Sequence, residues 1–116
     1  MRDDRLSVIV IRNRSRSRQR VLQEAGQAMQ TWPKGYGFLT DQLKRAGASI
    51  VLNIAEGNGR FGVAERRQFL RIAKGSAAEC AACLDVAAAY SLLPADVIKA
   101  MKNLLHRVIC MLSRMH

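Results

Sequence analysis

Apolar residues recur along this chain at steps of three and four, the spacing of helices that bury one face. Val21, Leu22, Ala25, Ala28, Met29 and Trp32 form the first run. Pro33 stops it, because proline has no N–H to donate and its ring clashes with the preceding turn. The pattern can be carried back to about Ser7, but Arg14 and Arg18 then fall near the apolar face, so residues 1–15 are read equally as a mobile basic arm. After a Pro33–Gly37 turn, a second helix is predicted with Thr40 near its start and Gly57 at its end. Leu39, Leu43, Ala46, Ile50 and Ile54 make its apolar stripe, and Gln42, Arg45, Ser49, Asn53 and Glu56 a polar stripe beside it. A third helix is predicted from about Ala64 to Ser91 with two apolar faces. One carries Phe69, Ala73, Ser76, Cys80, Leu84 and Ala87; the other carries Ile72, Gly75, Cys83, Val86 and Tyr90. A helix with two apolar faces has to bury both; one can face the bundle and the other a second subunit. Pro94 suits the first turn of a fourth helix. Val97, Met101, Leu104, Leu105, Val108, Met111, Leu112 and Met115 form its seam.

Four amphipathic helices with short connections predict an all-α, antiparallel up-down four-helix bundle. Composition agrees: 49% of the 116 residues are hydrophobic, 5% are aromatic and two are proline. That size holds one core, so residues 1–116 are read as a single domain. No apolar run approaches the roughly 18 residues of a membrane span, and no membrane association is expected.

Charge narrows the function. Nineteen Lys and Arg oppose nine Asp and Glu, for a formal net charge of +10, and the pI is near 10.6. Fourteen of the nineteen are arginine, whose planar fork suits phosphate. The imbalance implies a polyanionic partner, nucleic acid first and an acidic membrane surface second. The candidate contacts are Arg60, Arg66, Arg67, Arg71 and Lys74 at the start of the third helix, and Arg12, Arg14, Arg16, Arg18 and Arg20 in the N-terminal segment. Phe61 is the one aromatic expected to be exposed for stacking. So few aromatics point to phosphate contacts and little base reading. For any single arginine, a solvated surface charge is the simpler account.

Chemistry is sparse. Cys80 and Cys83 form a C-x2-C that His106 and Cys110 could complete as a zinc set, but thiols in the middle of an Ala-rich helix read better as small core residues. No metal and no cofactor is expected. An odd number of cysteines without a signal-type leader fits reduced thiols and a cytoplasmic protein. Gly57–Gly62 follows a helix and lacks the lysine of a phosphate loop. No nucleophile–base pair or paired catalytic carboxylates stand out, so no enzyme is expected. Glu79 falls on the second apolar face of the third helix, where a buried carboxylate needs a partner. Arg45 is the expected one, with Gln42 or Asn53 adding hydrogen bonds. With Glu56 these residues form an expected structural polar network.

Two elements carry a resemblance. One is Ser49-Ile50 followed by Asn53-Ile54-Ala55-Glu56-Gly57. The other is Phe69-Leu70, Ile72-Ala73, Gly75-Ser76 and Glu79. In this order and spacing they resemble the four-helix bundle proteins encoded in intervening sequences of bacterial 23S ribosomal RNA genes, over roughly residues 32–116. Gln42, Arg45, Ser49, Asn53, Glu56, Gly57, Ser76 and Glu79 occupy the signature positions. The resemblance implies a closed bundle, a ring-like homopentamer and a basic surface that binds nucleic acid; it attaches no enzymatic activity. The family is similar to accessory proteins of diversity-generating retroelements, which act with a reverse transcriptase. The leading expectation is therefore a non-catalytic homo-oligomer that binds RNA or DNA through basic surface residues. The alternative is a protein-interaction scaffold or an accessory subunit of a nucleic-acid enzyme such as a reverse transcriptase.

Overall fold

The computed structural model describes residue 23 and residues 25–115. Among the described residues the regular structure is helical, without strands. Helix α1 covers residues 25–30, α2 Gly37–Asn58, α3 Val63–Ala89 and α4 Ala95–Ser113. The expected N-terminal arm, residues 1–15, lies outside the described residues.

Three boundaries differ from the sequence expectation. Helix α2 starts at Gly37, before Thr40, because Leu39 and Thr40 already donate their N–H groups to the Tyr36 carbonyl. Gly57 lies inside α2 rather than ending it, and Gly59 is the C-cap in a right-handed conformation. Helix α3 ends at Ala89, and Ser91 adopts a left-handed φ of 56° while the Leu92 N–H reaches back to the Ala87 carbonyl at 2.9 Å. That six-to-one bond is the Schellman end of a helix. Pro94 is the N-cap of α4, and Asp96 in its first turn complements the helix dipole.

Helix α3 is the central element, packed against α2 on one side and α4 on the other. Two apolar clusters give the directions. Leu39 and Leu43 at the start of α2 meet Cys83, Leu84 and Ala87 at the end of α3 and Val97 and Ile98 at the start of α4. Ala46, Ile50 and Ile54 meet Leu70, Ala73, Ala77 and Cys80, with Leu112 and Met115 from the far end of α4 and its exit. Successive helices α2, α3 and α4 therefore reverse direction.

Alanine sets the α3 interface. Ala73, Ala77 and Ala87 are fully buried, so neighbouring helices pack against a nearly bare backbone. Gly57 makes another close approach, since an added Cβ would meet the Phe69 Cβ at 3.1 Å. Helix α1 is tied in by Ala25, which is 2% exposed, and by Trp32, whose indole N–H donates to the Leu92 carbonyl at 3.0 Å. The α4 seam is unevenly covered. Val97, Ile98, Leu112 and Met115 are buried, but Met101, Leu104, Leu105, Val108 and Met111 are half-buried. Met101, Leu104, Leu105 and Val108 line an apolar groove of about 410 Å³ between α2 and α4.

Candidate functional site

The basic residues at the start of α3 separate into two groups. Arg60 sits in the α2–α3 connection and is engaged on every side. Its Nη2 lies 2.5 Å from a Glu56 oxygen, its Nη1 lies 3.8 Å from Glu65, and its guanidinium stacks 5.1 Å from the centroid of Phe69. Its main-chain carbonyl accepts a hydrogen bond from Arg66 Nη2 at 3.2 Å. Arg60 and Arg66 thus staple the tight turn that lets α3 fold back on α2. Both candidate contacts thus already have partners within the connection.

Arg67, Arg71 and Lys74 lie one turn apart along α3, on one face of that helix. Arg67 and Arg71 are exposed and Lys74 is half-buried. Among the described residues none of the three enters an ion pair. The apolar positions of α3 point elsewhere, so this stripe keeps its charge for solvent or a ligand. Phe61, beside it in the connection, is 91% exposed, as expected of a residue available for stacking. Arg12, Arg14, Arg16, Arg18 and Arg20 lie outside the described residues.

The expected polar network forms with different pairings. Glu79 is exposed, not buried, and its partner is Gln42, whose Nε2 donates to the carboxylate at 2.9 Å. Arg45 is also exposed, and among the described residues no ion pair joins it to Glu79. The side of α3 carrying Glu79 is open to solvent, so its carboxylate needs no buried cation. Asn53 turns back on its own helix, donating to the Ser49 carbonyl and hydroxyl at 2.8 and 3.0 Å. The Ser49 hydroxyl is 2.7 Å from that of Ser76, which is buried in the core. Glu56 belongs to the Arg60 staple. The network is thus three separate ties between α2 and α3 or its approach.

The Ser49–Ser76 link was not predicted as a contact, although both residues stand in the sequence signature. Neither was the Lys102–Asp85 pair, which bridges α3 and α4 at 2.5 Å. Both join residues distant in sequence, and the relative rotation of two helices is what decides such contacts.

The second apolar face of α3 divides. Cys83 turns into the core, while Ile72, Val86 and Tyr90 are exposed, with the Tyr90 ring centred 5.5 Å from that of Tyr36 and tilted 58° to it. Cys80 and Cys83 are buried. Burial pushes the Cys80 thiol up to about 11, with the Cys83 and Glu79 charges adding to it; burial and Glu79 likewise raise Cys83. Such thiols are protonated near neutral pH and poor as nucleophiles or ligands. Cys110 contacts His106 Nε2 at 3.5 Å on α4. Among the described residues no three His, Cys, Asp or Glu side chains are grouped to hold a metal ion, and no helix is long and apolar enough to cross a membrane.

No curated protein matches the chain significantly. The family model for the 23S rRNA-intervening sequence protein matches residues 16–114. That span takes in α1 to α4, the Ser49–Ser76 link, the Arg60 staple and the exposed stripe of α3. By that match over most of its length, the chain belongs to the 23S rRNA-intervening sequence protein family.

Proposed function

We propose that this protein is a non-catalytic, homo-oligomeric four-helix bundle that binds RNA or DNA in the cytoplasm through basic surface residues. The observation that carries the reading is the Arg67–Arg71–Lys74 stripe, which has no acidic partner among the described residues. An uncompensated row of cations on a rigid helix attracts phosphates and releases their counterions on binding. Seven of the nineteen basic residues lie within the first twenty positions and add to the same polyanion affinity. With few aromatics, the contacts are to backbone and shape rather than to bases.

Self-association multiplies a weak patch by its copy number. Exposed Leu52, Ile72, Val86 and Tyr90 favour it, since apolar side chains on this scale are commonly covered by a partner. The same residues support a second reading, a scaffold or accessory subunit that docks on another protein.

Light scattering followed by titration with unrelated RNA and DNA oligomers tests the proposal. An assembly that binds both with little sequence preference, and less tightly as salt rises, is expected. A monomer, or no binding at low salt, overturns it.

A further inference from the structure

We infer that His106 and Cys110, on the outer face of α4, chelate a thiophilic divalent cation, Zn²⁺ being the ordinary one. The inference is independent of whether the protein binds nucleic acid. Residues four apart on a helix stand one above the other on the same face, the spacing by which paired donors on one helix hold zinc. His106 is exposed and Cys110 half-buried, so an ion reaches both from solvent. Helical spacing turns the buried seam of α4, with Val97 and Leu112, to the opposite side.

The separation of the two donor atoms fits that ion. Cys110 Sγ and His106 Nε2 lie 3.5 Å apart. Zinc bonds sulfur at about 2.3 Å and imidazole nitrogen at about 2.0–2.1 Å, and a tetrahedral angle between those bonds sets the two donors about 3.5–3.6 Å apart. The pair already has the bite of a tetrahedral chelate. As a hydrogen bond the same contact is weak, because a thiol is a poor donor and a poor acceptor.

Chemistry separates this pair from the other thiols. Cys80 and Cys83 are buried and held protonated, so they do not extend the site to four protein ligands. Among the described residues no third His, Cys, Asp or Glu joins the pair, which leaves two positions of the tetrahedron to solvent. Arg107 and Arg114, three and four residues from Cys110, are exposed and enter no ion pair among the described residues. They disfavour a bare dication and favour an anion such as hydroxide or chloride in the open positions. That anion and the thiolate together offset the charge of the metal. Binding balances as a proton exchange: Cys110 gives its Sγ proton to solvent as sulfur bonds the metal, and His106 binds through Nε2 with its proton on Nδ1.

The test is titration of the reduced, metal-free, full-length protein with Co²⁺, which takes the same tetrahedral sites as zinc and is coloured. A thiolate-to-cobalt charge-transfer band and the strong visible bands of tetrahedral cobalt are expected, saturating at one ion per chain and bleached by Zn²⁺. Cys110→Ser should abolish the charge-transfer band. His106→Gln should weaken binding by about tenfold or more, since even an outer-shell partner is worth that much. Cys80→Ala, with both donors intact, should titrate like the parent. Zn²⁺ should also raise the Tm of the parent and leave that of Cys110→Ser where it was, because the ion binds the folded helix. The inference is overturned by a parent without the charge-transfer band, by a band that survives Cys110→Ser, or by an affinity that ignores His106→Gln.

Discussion

The hydroxyls of Ser49 on α2 and Ser76 on α3 lie 2.7 Å apart, and Asn53 Nδ2 donates to Ser49 Oγ from one turn further along. This chain of small polar groups crosses the interface beside the alanine seam. Ser76 is 8% exposed, so its hydroxyl has little water to fall back on. Ser76→Ala should cost about 1 kcal/mol, the usual net worth of a hydrogen bond. In a double-mutant cycle with Ser49→Ala the two losses should be less than additive. Strict additivity in urea melts would mean that the contact does not hold the helices together.

Gly57 is a second fixed point. Alanine there gains up to about 1 kcal/mol of helix propensity but places its Cβ 3.1 Å from Phe69 Cβ and 3.4 Å from the Arg66 carbonyl. Overpacking of this kind costs about 1–3 kcal/mol. Gly57→Ala is expected to lower the midpoint of chemical unfolding. A stabilised variant would show that α2 and α3 can separate at this point without loss.

Ser91 holds a left-handed φ of 56° at the end of α3, where glycine is the favoured residue. It is exposed. Ser91→Gly should stabilise the protein by about 0.5–1 kcal/mol, the strain relieved less the added freedom of the unfolded chain. Thermal melting reads the sign directly.

Burial raises the Cys80 thiol from 9.0 to about 11, and Cys83 shifts in the same direction. Above pH 9 the unfolded chain releases these protons while the folded protein keeps them. The unfolded state then binds fewer protons, so stability falls as pH rises from about 9 towards 11 and is unaffected by these groups below that window. Stability measured against pH should show a shallower decline in Cys80→Ala than in the parent. An unchanged slope would place the thiol in water.

Much of the fold was legible in the sequence, because an amphipathic helix writes its buried face at fixed spacing. Leu39, Leu43, Ala46, Ile50 and Ile54 fall on one stripe at helical spacing and are all buried. The ends were less legible. Gly57 looks like a helix stop, yet its reason is close packing against Phe69, which no local rule contains. Glu79 shows the same limit in the site. Its position on α3 was clear, but its exposure and its choice of Gln42 over Arg45 depend on how far α2 is rotated. Arg60 and Arg66 looked like surface cations of the same kind as Arg67 and Arg71. What separates them is the turn that gives Arg60 two carboxylates and an aromatic face.

The α3 stripe is the centre of the functional account, and the salt dependence of binding tests it most directly. Affinity for an RNA or DNA oligomer is measured across salt concentrations for the parent and for a variant with Arg67, Arg71 and Lys74 all replaced by alanine. Each phosphate contact contributes about 0.7–0.9 to the slope of log affinity against log salt. The variant should bind more weakly at every salt concentration, with a slope shallower by about two to three. The same affinity and slope in both proteins would contradict the account.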